Sequence, residues 1–137
     1  MTANKNFNSW YTFKNGVTVF NSTPHTINLQ DMDGEVVGIL PNPDFLINAK
    51  AVEIPVKDLF VKTSFVGDDQ GRAVIQRIID FFHKEVNADG PMVIVGSIIA
   101  AQAYPGEVVG MTPVPGYERV APNEKRMRCD KFTTFAE

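Results

Sequence analysis

An α+β fold, mostly antiparallel sheet with one long amphipathic helix, is what the sequence predicts, and three features carry it. From Trp10 to Val66 short β-branched and aromatic runs alternate with turn-forming clusters, the signature of consecutive strands and hairpins. One stretch, about residues 70–87, has its apolar residues at helical spacing. The chain of 137 residues, 44% hydrophobic and 21% charged, has the length and composition of one ordinary globular domain, 1–137, with a polar N-terminal arm at 1–8.

The elements follow in order. Trp10–Phe13 and Val17–Phe20 flank Lys14-Asn15-Gly16, and Asn-Gly between two such runs is a hairpin signal because both residues tolerate positive φ. Asn21-Ser22-Thr23-Pro24-His25 is a turn cluster, Thr26–Gln30 alternates, Asp31-Met32-Asp33-Gly34 turns again, and Glu35–Leu40 makes a further strand. Residues 9–40 are thus expected to form a four-stranded antiparallel meander. Phe45–Ile54 and Val56–Val66 hold two more strand-like runs, the second alternating as a sheet face turned partly to water.

Asp68 or Asp69 is placed to cap a helix carrying Val74, Ile75, Ile78, Ile79, Phe82 and Val86, ended by Gly90-Pro91. Met92–Val95 reads as a buried strand, and Ser97 as the cap of a short helix at about 98–104. Glu107–Met111 is expected as a strand, Thr112–Pro122 as a proline-rich loop, and Arg126–Phe135 as a final strand. The ten phenylalanines point to a well-filled core before an aromatic-lined groove.

Composition excludes several classes. Cys129 is the only cysteine, so neither an intramolecular disulfide nor a four-thiolate zinc site can form, which fits a reducing compartment. The N-terminus lacks the apolar stretch of a signal peptide, and the longest apolar run, about 92–101, is too short to span a bilayer. A cytoplasmic protein without a membrane partner is expected. The net charge of −3 argues against general nucleic-acid binding. His25 and His83 have no metal-ligand spacing, and no metal or cofactor is expected.

Four segments are candidates for function. Thr23-Pro24-His25 suits a ligand contact or a general base; its structural reading is a turn braced by its own side chains. Gly96-Ser97 opens a helix, where amide groups attract anions; its structural reading is a plain cap, and Gln102 lies on the same helix. A nucleophilic Ser97 is disfavoured, because Ile99 stands where a hydrolase elbow needs glycine and both histidines precede the serine. Arg126 and Arg128, two apart on one strand face, suit a phosphate clamp; Glu124 and Asp130 nearby suit a salt-bridged surface. The loop 112–117 suits a lid, a subunit contact or a rigid connector.

The order of Asn21-Ser22-Thr23-Pro24-His25, then Gly96-Ser97-Ile98-Ile99-Ala100-Ala101-Gln102-Ala103-Tyr104-Pro105-Gly106, then an Arg-containing last strand resembles a group of small, mostly uncharacterised phage and prophage proteins. They share an Asn-x-Thr-Pro-His start and a Ser-x-x-x-Ala-x-Ala-like helix. The similarity covers residues 21–30 and 93–110, is weaker in the last strand, and leaves 43–90 without a counterpart. It implies a viral origin, and hence host cytoplasm, more than an activity.

Three functions follow as expectations. The first is a phage-type binder that sequesters an anionic or nucleotide-like molecule in an anti-defence role, with Thr23, His25, Ser97, Gln102, Arg126 and Arg128 converging, and a homo-oligomer interface as one place for the pocket. The second is a protein-interaction module acting on a host factor through the proline-rich loop and exposed strand edges. The third, a nucleotide hydrolase, ranks last because no catalytic set assembles from the spacing.

Overall fold

The computed structural model describes residues 8–86, 88–121 and 124–137. The expected arm at 1–8 lies outside them except for Asn8. The fold is α+β. Its strands are β1 (Trp10–Thr12), β2 (Thr18–Asn21), β3 (Ile27–Gln30), β4 (Val36–Ile39), β5 (Lys50–Lys57), β6 (Phe60–Val66), β7 (Met92–Val95), β8 (Gly110–Pro113) and β9 (Met127–Thr133). The helices are α1 (Asp69–Glu85) and α2 (Ile98–Ala103), with a 3₁₀ turn at Pro43–Phe45.

Residues 9–40 do not form the expected four-stranded meander. β1–β2 and β3–β4 are antiparallel hairpins, but β2 and β3 do not pair: one sheet runs β1-β2-β7 and another β4-β3-β9-β8. β2 pairs instead with β7 in parallel, Thr18 opposite Met92 through Asn21 opposite Val95, and β3 pairs with β9 in parallel. The continuous apolar run Met92–Val95 suits a central parallel position with both faces covered. At Ser22 the chain stays with β7, whose Val95 carbonyl accepts from both the Ser22 N–H and its hydroxyl, 2.9 and 2.8 Å.

The two sheets join at both ends. Val95 bridges Val109 in parallel, with Gly96 N donating to Val109 O and Val109 N to Ile94 O, each 2.9 Å. On the other side Leu40 N donates to Asn8 O at 3.0 Å. The hydrogen-bonded path therefore returns on itself as a small barrel, which leaves few edges to solvent. Its interior holds Phe13, Val19, Ile27, Leu29, Val37, Ile39, Val95 and Cys129.

Successive residues of β2 point to opposite faces, so Val19 enters the barrel while Phe20 leaves it. Outside, Phe20 meets Trp10, Phe45, Phe81 and Phe82 with ring centroids 5.9–6.3 Å apart, in tilted and edge-on arrangements. α1 covers this face through Val74, Ile75, Ile78 and Phe82. Its cap is Asp68, whose carboxylate accepts from Gly71 N at 2.8 Å.

α2 ends in Tyr104, a fully buried tyrosine that ties three elements together. Its hydroxyl accepts from the Asp68 N–H at 2.9 Å, and its ring lies against Gly67, after β6, and Gly71, in the first turn of α1. A Cβ at either glycine would overlap the ring.

β5 and β6 form a separate two-stranded ribbon, Lys50 opposite Val66 through Lys57 opposite Phe60, turned at Asp58-Leu59 with Asp58 at φ 37°. Ala49 and Phe65 pack at its base against the α1 cluster, and the remainder projects.

Gly71→Ala tests the Tyr104 packing by its sign. Alanine at an unconstrained helix position stabilises by up to about 1 kcal/mol. Here overpacking against the ring is expected to cost about 1–3 kcal/mol, seen as a lower midpoint in chemical denaturation.

Candidate functional site

The Thr-Pro-His turn is organised by the residue that opens its cluster, which was not among the expected site residues. Asn21, fully buried, donates from its amide to His25 O at 2.7 Å and to Ile39 O at 3.0 Å. Its amide oxygen accepts from Thr23 N at 2.8 Å and lies 2.7 Å from the Thr23 hydroxyl. The Thr23 hydroxyl is also 2.9 Å from His25 O, and accepts from His25 N at 3.3 Å. Thr23 thus braces the turn backbone. The His25 side chain is exposed.

This turn does sit beside the start of α2. Ser22 bonds Val95, and a Cβ on Gly96 would press on Val108 and on the Ser22 hydroxyl. Ser97 acts as the cap: its hydroxyl accepts from Ala100 N at 3.1 Å. Gln102 is exposed on α2.

Arg126 and Arg128 lie elsewhere, on β9 and its approach, where β9 pairs with β3. Arg126 donates to the Gln30 side chain at 3.2 Å and lies over the Tyr117 ring, 4.9 Å from its centroid. Arg128 grips Asp130 with two bonds, 2.7 and 2.9 Å. That pairing holds the Asp130 carboxyl below the usual carboxylate range and raises the Arg128 guanidinium. Val114 N donates to Arg126 O at 2.9 Å, so the proline-rich loop is laced back onto this strand.

A cleft of about 320 Å³ opens here, lined by Gln30, Asp31, Met32, Val114, Pro115, Arg128, Cys129 and Asp130. Neither His25 nor Ser97 lines it. One arginine faces two aspartates, so the cleft has mixed charge. Among the described residues no group of three or more His, Cys, Asp or Glu side chains is placed to hold a metal ion. None of the described helices is long and apolar enough to cross a membrane.

The β5–β6 ribbon carries a cluster of exposed apolar side chains. Leu59 is 93% exposed, Phe60 67% and Val56 65%, with Ile54, Val61 and Val66 also in water. Lys50, Val52 and Ile54 share one face with Lys62, Ser64 and Val66; Ala51, Glu53 and Pro55 share the other with Val61, Thr63 and Phe65. Both faces carry exposed apolar groups. The sequence signal was the apolar pairs Phe60-Val61 and Phe65-Val66, which no single buried face can absorb.

No protein-family model, curated protein or solved structure matches this chain.

Asn21→Ala strips the turn of its amide and leaves buried backbone groups unpaired, at an expected cost of about 3 kcal/mol in denaturation experiments. A pH effect is expected at Cys129, whose thiol is pushed up to about 11 by burial first and by the Asp31 and Asp130 carboxylates second. The unfolded chain loses this proton near its ordinary value while the folded chain keeps it. Stability therefore falls as pH rises from about 9 to about 11. Cys129→Ala is expected to remove that part of the alkaline slope, measured by denaturation at successive pH values.

Proposed function

We propose that this protein is a protein-interaction module that engages its partner with the β5–β6 ribbon. The observation that carries this reading is the ribbon's projecting end, where Val56, Leu59 and Phe60 stand in water. Large apolar side chains clustered on a projecting element are stabilised by covering them, and such clusters mark interaction sites. A two-stranded ribbon is marginal by itself. This one is pinned at its base by Phe65, Ala49 and the Gly67–Tyr104 contact, so it is held in a form ready to bind. The proline-rich loop fits this role less well, being bonded back onto β9.

A second reading, a binder of a small anionic or nucleotide-like molecule, is favoured by one observation: the Arg126–Tyr117 stack beside the cleft that contains Arg128. The aspartates there weigh against a strongly anionic ligand. A ligand-dependent rise in melting temperature across mono-, di- and cyclic nucleotides, lost in Arg126→Ala, would favour this reading.

The interaction reading is tested by a Val56→Thr, Leu59→Ser, Phe60→Ser variant. These residues are exposed, so stability is expected to stay within about 0.5 kcal/mol per substitution. Capture of a partner by the immobilised chain, read by mass spectrometry, is expected to be lost. Undiminished capture by the folded variant removes the ribbon from the account.

A further inference from the structure

We infer that the open edge of β7 takes a short extended peptide as an added strand, its apolar side chains against α1 and a basic residue facing Glu107. This site is separate from the ribbon and does not depend on it.

The backbone phase of β7 fixes which groups face outward. The Pro91 and Val95 carbonyls accept from Thr18 N and Ser22 N on the β2 side, each at 2.9 Å. Backbone groups alternate along a strand, so those of Met92 and Ile94 point to the opposite edge. There the Ile94 carbonyl accepts from Val109 N, and Gly96 N donates to Val109 O. The pairing goes no further because the chain before Val109 curls away: Glu107 N and Val108 N both donate to Tyr104 O at 3.0 Å. Among the described residues, nothing accepts from the Ile94 or Met92 N–H on this edge, and nothing donates to the Met92 carbonyl. An edge left in this state is a template for strand addition. Ile94 is only 2% exposed, and an N–H in such a place is costly to leave without a partner.

A cavity of about 270 Å³ runs along the same edge. Met92, Val93 and Ile94 all line it, although Met92 and Ile94 pack with the cluster under α1 and Val93 with the barrel interior. A cavity that reaches both faces of one strand lies at its edge, and β2 occupies the other edge. Ile75 and Ile79 of α1 also line it, as does Glu107. The result is a slot between a strand edge and a helix, which suits an extended peptide added to the sheet.

The chemistry of the slot selects its occupant. Met92 N–H, Met92 C=O and Ile94 N–H form a donor, acceptor and donor in a row, which extended backbone matches. A purely apolar molecule would cover these groups and leave them unpaired. Side chains of the added strand that lie beside Met92 and Ile94 meet Ile75 and Ile79, so apolar residues belong there. Glu107 is exposed and makes no ion pair with a described residue, so it favours a lysine or arginine on the peptide.

The probe is the peptide acetyl-Lys-Val-Thr-Val-Lys-amide, titrated into the intact chain and followed by amide NMR. In the free chain, the Met92 and Ile94 amides are expected to exchange with deuterium oxide faster than those of Val93 and Val95, which face β2. On titration to millimolar concentration, shifts are expected at Met92, Ile94 and Ile79, and the two edge amides become protected. The same peptide N-methylated at its three central residues is expected to bind at least about tenfold more weakly. Glu107→Lys, at an exposed position, is expected to weaken the lysine peptide about fivefold and to favour acetyl-Glu-Val-Thr-Val-Glu-amide instead. The Val56→Thr, Leu59→Ser, Phe60→Ser variant is expected to bind the lysine peptide as the unmodified chain does.

Equal protection of the Ile94 and Val95 amides in the free chain overturns the inference. So do shifts that are absent or centred elsewhere, equal binding of the N-methylated peptide, indifference to Glu107→Lys, or loss of binding in the ribbon variant.

Discussion

Burial of β2 on both faces is the constraint from which the rest of the architecture follows. Thr18, Val19, Phe20 and Asn21 are all fully buried, so each face of this strand needs a cover and each edge a partner. Val19 and its neighbours fill a barrel closed by the other strands, and Phe20 anchors an aromatic cluster roofed by α1. The edges go to β1 and β7. The polar residues survive this burial only because their groups are bonded. Thr18 pairs hydroxyls with Thr12 at 2.7 Å, and Asn21 turns a potential cost into a clamp on the turn that follows.

Among the described residues, the large apolar side chains left exposed lie mostly on the ribbon, with Met32, Ile98 and Ile99 the others. β5 and β6 join the core only at their base, where Phe65 packs against the α1 cluster and Tyr104 closes on Gly67. The Tyr104 contact matters to any role for the ribbon because one buried ring fixes the end of β6, the first turn of α1 and the end of α2 together. A partner that meets the ribbon meets an element already oriented by the core. Its ordering cost was met on folding, and association is correspondingly easier.

The two polar neighbourhoods have different characters. Around His25 and Ser97 the hydroxyls are spent on turn and cap bonds, so this junction stabilises the crossing from one sheet to the other. Around Arg128 the guanidinium is matched by Asp130, and Asp31, whose carboxylate accepts from the Lys14 and Met32 N–H groups, lines the same cleft. In both places the local pairing explains the residue types without a ligand.

Local chemistry made much of this legible from residues alone. Asn15-Gly16 specified a hairpin because Gly16 adopts φ 91°, Asp68 or Asp69 marked the start of α1, where the structure selects Asp68 because its carboxylate meets an unpaired N–H, and Ser97 marked the start of α2. Each is an interaction across a few residues, written in the order of the chain. The crossing between sheets was not legible, because β2 chooses β7 over β3 through the Ser22–Val95 bonds and the burial of both its faces, which depend on residues more than 70 positions away. The same holds for the site residues. Periodicity put Arg126 and Arg128 on one strand, but only the pairing of β9 with β3 gave them Gln30 and Asp31 as neighbours. For the ribbon the division is sharpest: the sequence determined a strand with apolar pairs at both ends, and the tertiary structure took only Phe65 onto the α1 cluster and left Phe60, Val61 and Val66 in water, because α1 and the barrel had already covered each other.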